Sequence, residues 1–248
     1  MRLHGVDFSG ASDGGSGGIR VAERELGNPH PISAVRRMHR AGLRQAILDS
    51  REDGEQHFWL IDAPFGVARE TLEACGIGAS WRETADWFTR SGNPREWRRA
   101  VRAHTRKEVR RTADRVARTP MAPMNLRVFK QTWTAVTELL LPLSESGVRV
   151  EPLVGPRSSV VVSEGCPASV LSRMGGQTRG YKGKGDPPRE RRLEILRLLA
   201  RRGVKVNEAV AEVCLADEQG DSLDAVILCS SPWQGPVPGE SVIEGWVY

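Results

Sequence analysis

Two short apolar runs that each close on an aspartate constrain this chain more than anything else in it. Leu3 to Phe8 carries Asp7 within GVDFSG, and Gln56 to Ile61 leads straight into Asp62 within WLIDAPFG. An acid at the end of an apolar strand costs desolvation unless something offsets its charge. In open α/β sheets, ligands gather just outside the carboxyl ends of strands. The two runs therefore predict an α/β fold that delivers two carboxylates to one sheet edge. Glu164, ending the β-branched run SSVVVSEG, is a third such acid. Asp221 and Asp224, in GDSLDAVIL, are three residues apart and share one face of a helix expected from Asp221 to Cys229.

The remaining elements follow from periodicity and turn residues. Ile19 to Leu26 alternates apolar and polar residues and reads as a strand, joined to the first by the glycine-rich turn Ser9 to Gly18. A third strand is expected near Pro31 to Arg36 and a helix over Ala41 to Glu52. From about Ser80 to Ser146 the pattern is helical, broken at Gly92-Asn93-Pro94 and again between Thr119-Pro120 and Pro123. Gly175 to Pro188 reads as a polar loop, Glu190 to Arg202 as an amphipathic helix, Val206 to Cys214 as a further helix and Val242 to Tyr248 as a last edge strand. No internal repeat or linker interrupts this order. The expected organisation is one domain over residues 1–248, with residues 80–146 as a helical insertion after the fourth strand.

Composition narrows the class. A hydrophobic content of 39% with 27% charged residues describes a globular chain and excludes a disordered one. Cys75, Cys166, Cys214 and Cys229 lie far apart without zinc-ligand or thioredoxin spacing, as expected of reduced thiols in a cytoplasmic protein. MRLHGVDFSG lacks the apolar core of a signal peptide, and Leu139 to Leu143, interrupted by Pro142, is too short to span a bilayer. No membrane partner is expected. The sequence assigns no oligomeric state.

The net charge of +5 is unevenly spread. Arg95, Arg98, Arg99, Arg102, Arg106, Lys107, Arg110, Arg111, Arg115 and Arg118 face only Glu96, Glu108 and Asp114 in the same stretch. A second basic stretch runs from Arg179 through Lys182, Arg192 and Arg197 to Lys205. A solvated helix face explains either stretch alone. Two of them beside acidic motifs point to an anionic substrate, because guanidinium grips phosphate oxygens bidentately. In PMAPMNLRVFKQTW, Met121 and Met124 are candidate pocket or core residues, and Arg127 and Lys130 candidate phosphate contacts.

Converging carboxylates suit Mg²⁺ or Mn²⁺, which take hard oxygen ligands. Without a cation such groups repel and raise one another's pKa. Each acid also has a plainer reading. Asp7 suits its own turn, Asp62 a cap before Ala63-Pro64, and Glu164 a surface position. Asp221 suits an N-cap and Asp224 the favourable end of a helix dipole.

The ordered set GVDFSG, IDAPFG, EGCPASVL, GYKG, GDSLDAVIL and EGWVY resembles the domain family of unknown function numbered 429, over nearly the whole chain. That resemblance implies a ribonuclease H-like mixed sheet flanked by helices and a predicted nuclease activity. It places Asp7 as the first-strand aspartate, Asp62 as the acid after the fourth strand, and Asp224 with Asp221 as the acids of the last helix. That helix also resembles the closing helix of Holliday-junction resolvases. By the same likeness Glu164 is the acid before a Pro-Ala turn, and Tyr181 and Lys182 a tyrosine-lysine pair near the site. Gly220 departs from the pattern, since the family often has histidine there.

No phosphate-binding, dinucleotide-binding, zincin or serine-hydrolase motif occurs, and His4, His30, His39, His57 and His104 show no ligand spacing. The expected function is a metal-dependent nuclease on DNA or RNA. Asp7, Asp62 and Asp224 are expected to ligate metal, with Glu164 and Asp221 completing a second ion site or orienting water. Lys182, Tyr181, Arg127, Lys130, Arg98 and Arg102 are expected to meet substrate. The alternatives are a nucleotide phosphotransferase or hydrolase of the actin-like superfold and a non-catalytic nucleic-acid-binding module.

Overall fold

Side-chain alternation along the strands decides which residues meet which layer. In a computed structural model of the protein, residues 1–11, 18–78, 80–105, 108–155, 157–230 and 237–248 are described. β1 (Arg2–Asp7), β2 (Ile19–Glu25) and β3 (Val35–Met38) form an antiparallel meander, followed by α1 (Arg40–Asp49) and β4 (His57–Asp62). Together with β5 (Arg149–Glu151) and β6 (Val160–Glu164) they make a six-stranded sheet in the order β3-β2-β1-β4-β6-β5. β1–β4, β4–β6 and β5–β6 pair in parallel, so the sheet is mixed. Helices cover both faces.

On β4, Trp59 and Ile61 enter the core shared with α1 and the long helical region, whereas Leu60 enters the core formed with the C-terminal helices. The first core also takes Val6, Val160 and Val162 from the sheet and Trp81, Phe88, Trp97, Phe129 and Leu139 from the helices. The helical region comprises α3 (Trp81–Arg90), α4 (Pro94–His104), α5 (Thr112–Val116), α6 (Phe129–Thr134), a π-helical turn (Ala135–Leu140) and α7 (Leu141–Glu145), and α2 (Arg69–Ala74) precedes it. Its breaks have the expected chemistry: Asn93 caps α4 through its side chain, with Pro94 at the first helical position. The second core is lined by α8 (Pro167–Arg173), α9 (Asp186–Arg201), α10 (Glu208–Ala216) and α11 (Asp221–Leu228).

Three sequence expectations shift. The third strand lies at Val35–Met38 instead of Pro31 to Arg36, with Ile32 making only a lone bridge to Val206, because Pro31 has no amide to give a ladder. The tail is not an edge strand. A short helix, α12 (Ser241–Glu244), ends at Gly245 with φ 88°, and Val247 then bridges Glu164. The strand β5 was not foreseen, being three residues long and so too short to show a period. Most of the Ser9 to Gly18 turn lies outside the described residues. Among the described residues no helix is long and apolar enough to cross a membrane.

Candidate metal centre

Asp7 and Asp62 are register partners on β1 and β4, so their side chains leave the sheet side by side on the same face. That face, shared with Gly5 and Leu60, is the one α11 covers. α11 lies so close over β1 that a Cβ on Gly5 would stand 2.0 Å from the carbonyl oxygen of Ala225. Glycine at position 5 thus lets α11 bring its first turn to the strand ends. Gly220, in the left-handed region at φ 78°, starts that turn and accepts the Asp224 amide. One carboxylate oxygen from each of Asp7, Asp62 and Asp224 comes within 4.8 Å of the others. Asp7 and Asp62 are half-buried and Asp224 is buried.

The surroundings of Asp224 use both its oxygens. The Tyr181 hydroxyl donates to one at 2.7 Å, and the Lys182 ammonium lies 2.7 Å from the other. Lys182 is also 3.8 Å from half-buried Asp221. Buried Arg192 fixes this loop by donating to the carbonyls of Tyr181, Gly183 and Leu215. A Cβ on Gly220 would stand 3.1 Å from the Tyr181 ring and 3.2 Å from the Lys182 side chain, and φ 78° strains any side chain, which disfavours the histidine that the resemblance suggested there.

The electrostatics ask for a cation. Burial, with Asp224 adding to it, pushes Asp62 up to about 8. Burial and the charges of Asp224, Asp221 and Asp62 hold Asp7 well above the usual carboxylate range. Asp224 is raised by burial, with Lys182 and Tyr181 acting against that. For Lys182, burial pulls downward, but the Asp224 carboxylate more than offsets it and the ammonium is held above its ordinary value. Three carboxylates this close are a hard-oxygen donor set that could hold a divalent cation.

Glu164 lines the same cleft but is paired with an arginine and is not one of the three clustered aspartates. Alternation places it with Val160 and Val162, on the sheet face opposite Asp62. There it takes two hydrogen bonds from Arg111, at 2.5 and 2.7 Å, and one from the Phe65 amide at 2.9 Å. Arg111, part of the first basic stretch, is fully buried and also grips Asp114 at 2.8 Å and the Glu244 carbonyl at 3.2 Å. Arg192 is likewise internal. Arg98 donates to the Met124 carbonyl at 3.3 Å and stacks over Phe129, 5.3 Å from its ring centre. Half-buried Arg102 is not among the residues lining the cleft, and Arg106 and Lys107 lie outside the described residues.

A cleft of about 650 Å³ opens over Asp62 and Asp224, lined among others by Met121, Arg127, Tyr181 and Lys182. Met124 is core. Lys130 instead lines a separate cavity of about 580 Å³, with Arg95, Arg99 and Trp133. Between the two, Gln131 donates to the carbonyls of Phe8 at 2.8 Å and of Asp62, tying α6 to both acid-bearing strand ends. Nothing in the sequence marks that glutamine.

A second cluster was missed. Asp53, Glu55 and His57 bring ligand atoms within 4.8 Å of one another at the opposite end of β4. The imidazole of His57 meets Asp53 at 2.9 Å and His4 at 2.8 Å, and Glu55 is held by Arg2 at 2.9 Å. The every-second-residue spacing Asp-x-Glu-x-His was its only signal.

Residues 5–239 match the family described as Protein of unknown function (DUF429). The chain belongs to this family. No curated protein and no solved structure matches it significantly. Within this DUF429 member, the matched span contains all three carboxylates, both residues of the Tyr181-Lys182 pair and Arg111.

Proposed function

We propose that this DUF429 protein is a divalent-metal-dependent nuclease with a ribonuclease H-like architecture. The observation that carries the reading is the convergence of Asp7, Asp62 and Asp224 within 4.8 Å at the edge of a cleft. The sheet order supports the architecture: an antiparallel meander, then parallel strands added beside β1. Asp7, Asp62 and Asp224 would hold Mg²⁺ or Mn²⁺. When bound, such an ion lowers the pKa of a coordinated water and neutralises charge on a phosphodiester. Hydrolysis would join the water oxygen to phosphorus as the P–O ester bond breaks, one water proton being lost to solvent and the leaving oxygen regaining one from it. Tyr181 holds the Asp224 carboxylate in place. Asp221, beside Lys182, orients the entering water. Lys182, exposed beside Asp224, would contact the substrate phosphate. Arg127 at the cleft rim meets the backbone of the DNA or RNA.

The 2.7 Å contact between Lys182 and Asp224 favours a second reading, in which the lysine is the permanent counter-ion and the protein binds nucleic acid without cleaving it. Mn²⁺ titration by calorimetry, together with hydrolysis assays on single- and double-stranded DNA and RNA, separates the two. The nuclease reading expects a Mn²⁺ isotherm abolished in D62N and metal-dependent product formation abolished with it. No isotherm and no product would leave the binding module.

A further inference from the structure

Three arginines line the cleft without any hydrogen bond or ion pair from their guanidiniums to a described residue: Arg118, Arg127 and Arg179. All three are exposed. They come from separate segments: the turn after α5, the turn before α6, and the loop that carries Tyr181 and Lys182. Each segment is pinned. Arg110 donates to the carbonyls of Thr119 and Pro120, at 2.7 and 3.1 Å, and Thr119 returns a hydrogen bond to Asp114 at 3.1 Å. The Arg127 amide donates to the Asn125 side chain, which is itself anchored on Glu108. Arg179 lies two residues before Tyr181, whose hydroxyl and carbonyl are both engaged. Arg118 is moreover the only non-glycine residue with positive φ among the described residues, at 54°. A bulky residue keeps such a conformation only when its surroundings impose it, and such positions cluster at binding sites.

Among the described residues the buried arginines, Arg40, Arg111 and Arg192, are each engaged by several hydrogen bonds. Three guanidiniums carried on pinned segments, with no internal acid and around a cleft whose floor is acidic, are an arrangement for an anion with several phosphates. The walls between them are apolar, formed by Pro64, Pro120, Met121 and Val128. About 650 Å³ is the size of a small-molecule pocket, on the order of 300–1,000 Å³, and suits unpaired nucleotides instead of the width of a duplex. Guanidinium planes stack on splayed bases as readily as they grip phosphates.

We propose that the cleft takes a single-stranded polynucleotide, with Arg118, Arg127 and Arg179 holding the phosphates that flank the nucleotide over Asp62 and Asp224. This rests on the nuclease reading for the identity of the substrate, but its test does not require turnover.

The test is binding of a fluorescein-labelled oligothymidine, followed by anisotropy across salt concentrations with Ca²⁺ replacing Mg²⁺. The same strand annealed to its complement, an oligouridine and free ATP are the comparison ligands. The single strand is expected to bind at least ~10-fold more tightly than the duplex, because base stacking and phosphate contacts both need unpaired nucleotides. Replacing the three arginines by glutamine should weaken it at least ~10-fold and flatten the salt slope by roughly 2, from about 0.7 per phosphate contact. Glutamine at Arg44, Arg90 and Arg201, three exposed arginines away from the cleft, removes the same net charge and should leave affinity nearly unchanged. Melting curves of both triple variants establish that they fold. Equal or tighter duplex binding overturns the proposal, as does unchanged affinity in the cleft variant. Displacement of the strand by ATP at or below the strand's own Kd reassigns the guanidiniums to a free nucleotide and also overturns it. Loss of metal-dependent cleavage with strand binding intact would remove the nuclease reading alone. Intact cleavage with no role for the three arginines would remove this proposal alone.

Discussion

Asp7 and Asp62 stand opposite one another in the register of two neighbouring parallel strands, and this places two like charges a strand spacing apart. The arrangement disfavours ionising both carboxyls at once, a cost that a bound cation would relieve. Asp62→Asn keeps the shape and removes one charge. The variant is expected to melt a few degrees higher than wild type in EDTA and to lose most of the upward shift that Mg²⁺ or Mn²⁺ gives the wild type. Thermal melts with and without metal check this; equal metal-induced shifts in both proteins would make Asp62 a structural residue.

The burial of Asp62 beside Asp224 sets a pH dependence. Asp62 is pushed up to about 8 by burial and by Asp224, whereas an unfolded aspartate titrates near 3.9. Below about pH 4 the group is protonated in both states and contributes no pH dependence. As pH rises toward about 8, the unfolded chain gives up its proton first, so metal-free stability falls across this window and then levels off. Metal binds the ionised form, so the stabilisation by Mg²⁺ should grow over the same range. Urea midpoints from pH 4 to pH 9, in EDTA and in Mg²⁺, measure both trends. A metal-free stability that rises through the window contradicts the raised pKa.

Gly5→Ala tests how Asp224 reaches the strands. The new Cβ would lie 2.0 Å from the Ala225 carbonyl oxygen and 2.8 Å from the Leu228 Cβ, neither of which is a flexible chain end. Overpacking of this kind costs about 1–3 kcal/mol. Because α11 must retreat, Mn²⁺ affinity should fall as well. Gly239→Ala meets nothing within 4 Å and should leave both unchanged. Urea denaturation and calorimetry on the two variants decide it, and Mn²⁺ affinity at the wild-type value in Gly5→Ala would detach α11 from the site.

Glu164→Gln separates a structural acid from a metal ligand. Removing one partner of a buried ion pair costs about 3–5 kcal/mol, and Glu164 is buried against Arg111. A large loss of stability is expected while the metal-induced shift in melting temperature survives. An unchanged melting temperature with the metal shift abolished would return Glu164 to the metal site.

Much of the acid cluster was legible because its signals are local. Asp7 and Asp62 end apolar runs, Asp224 enters an apolar helix, and the Tyr181-Lys182 pair follows a glycine-rich loop. Glu164 looked equivalent at the level of motifs, but its parity with Val160 and Val162 sends it through the other face of the sheet. Arg111 and Arg192 were invisible as internal residues because the sequence showed them inside basic runs, and only the fold supplies their partners. His57 was set aside for want of histidine spacing, although its neighbours in the cluster are carboxylates. Gly5 read as an ordinary strand residue until the helix above it was in place.

Arg111 joins three parts of the chain that synthesis produces at very different times. Its own segment is followed by Glu164 after 53 residues and by the Glu244 carbonyl after 133. The Glu244 carboxylate in turn accepts the amides of Arg69 and Thr112, and the Tyr248 amide donates to the Glu164 carbonyl. Until Ser241–Tyr248 has left the ribosome, a guanidinium destined for the interior lacks part of its cage. Residues 241–248 thus act as a bolt across the fold. A nascent or clipped chain that stops short of them should carry an intact sheet and a loose helical region, and the window in which it is open to proteases lasts as long as the bolt is missing.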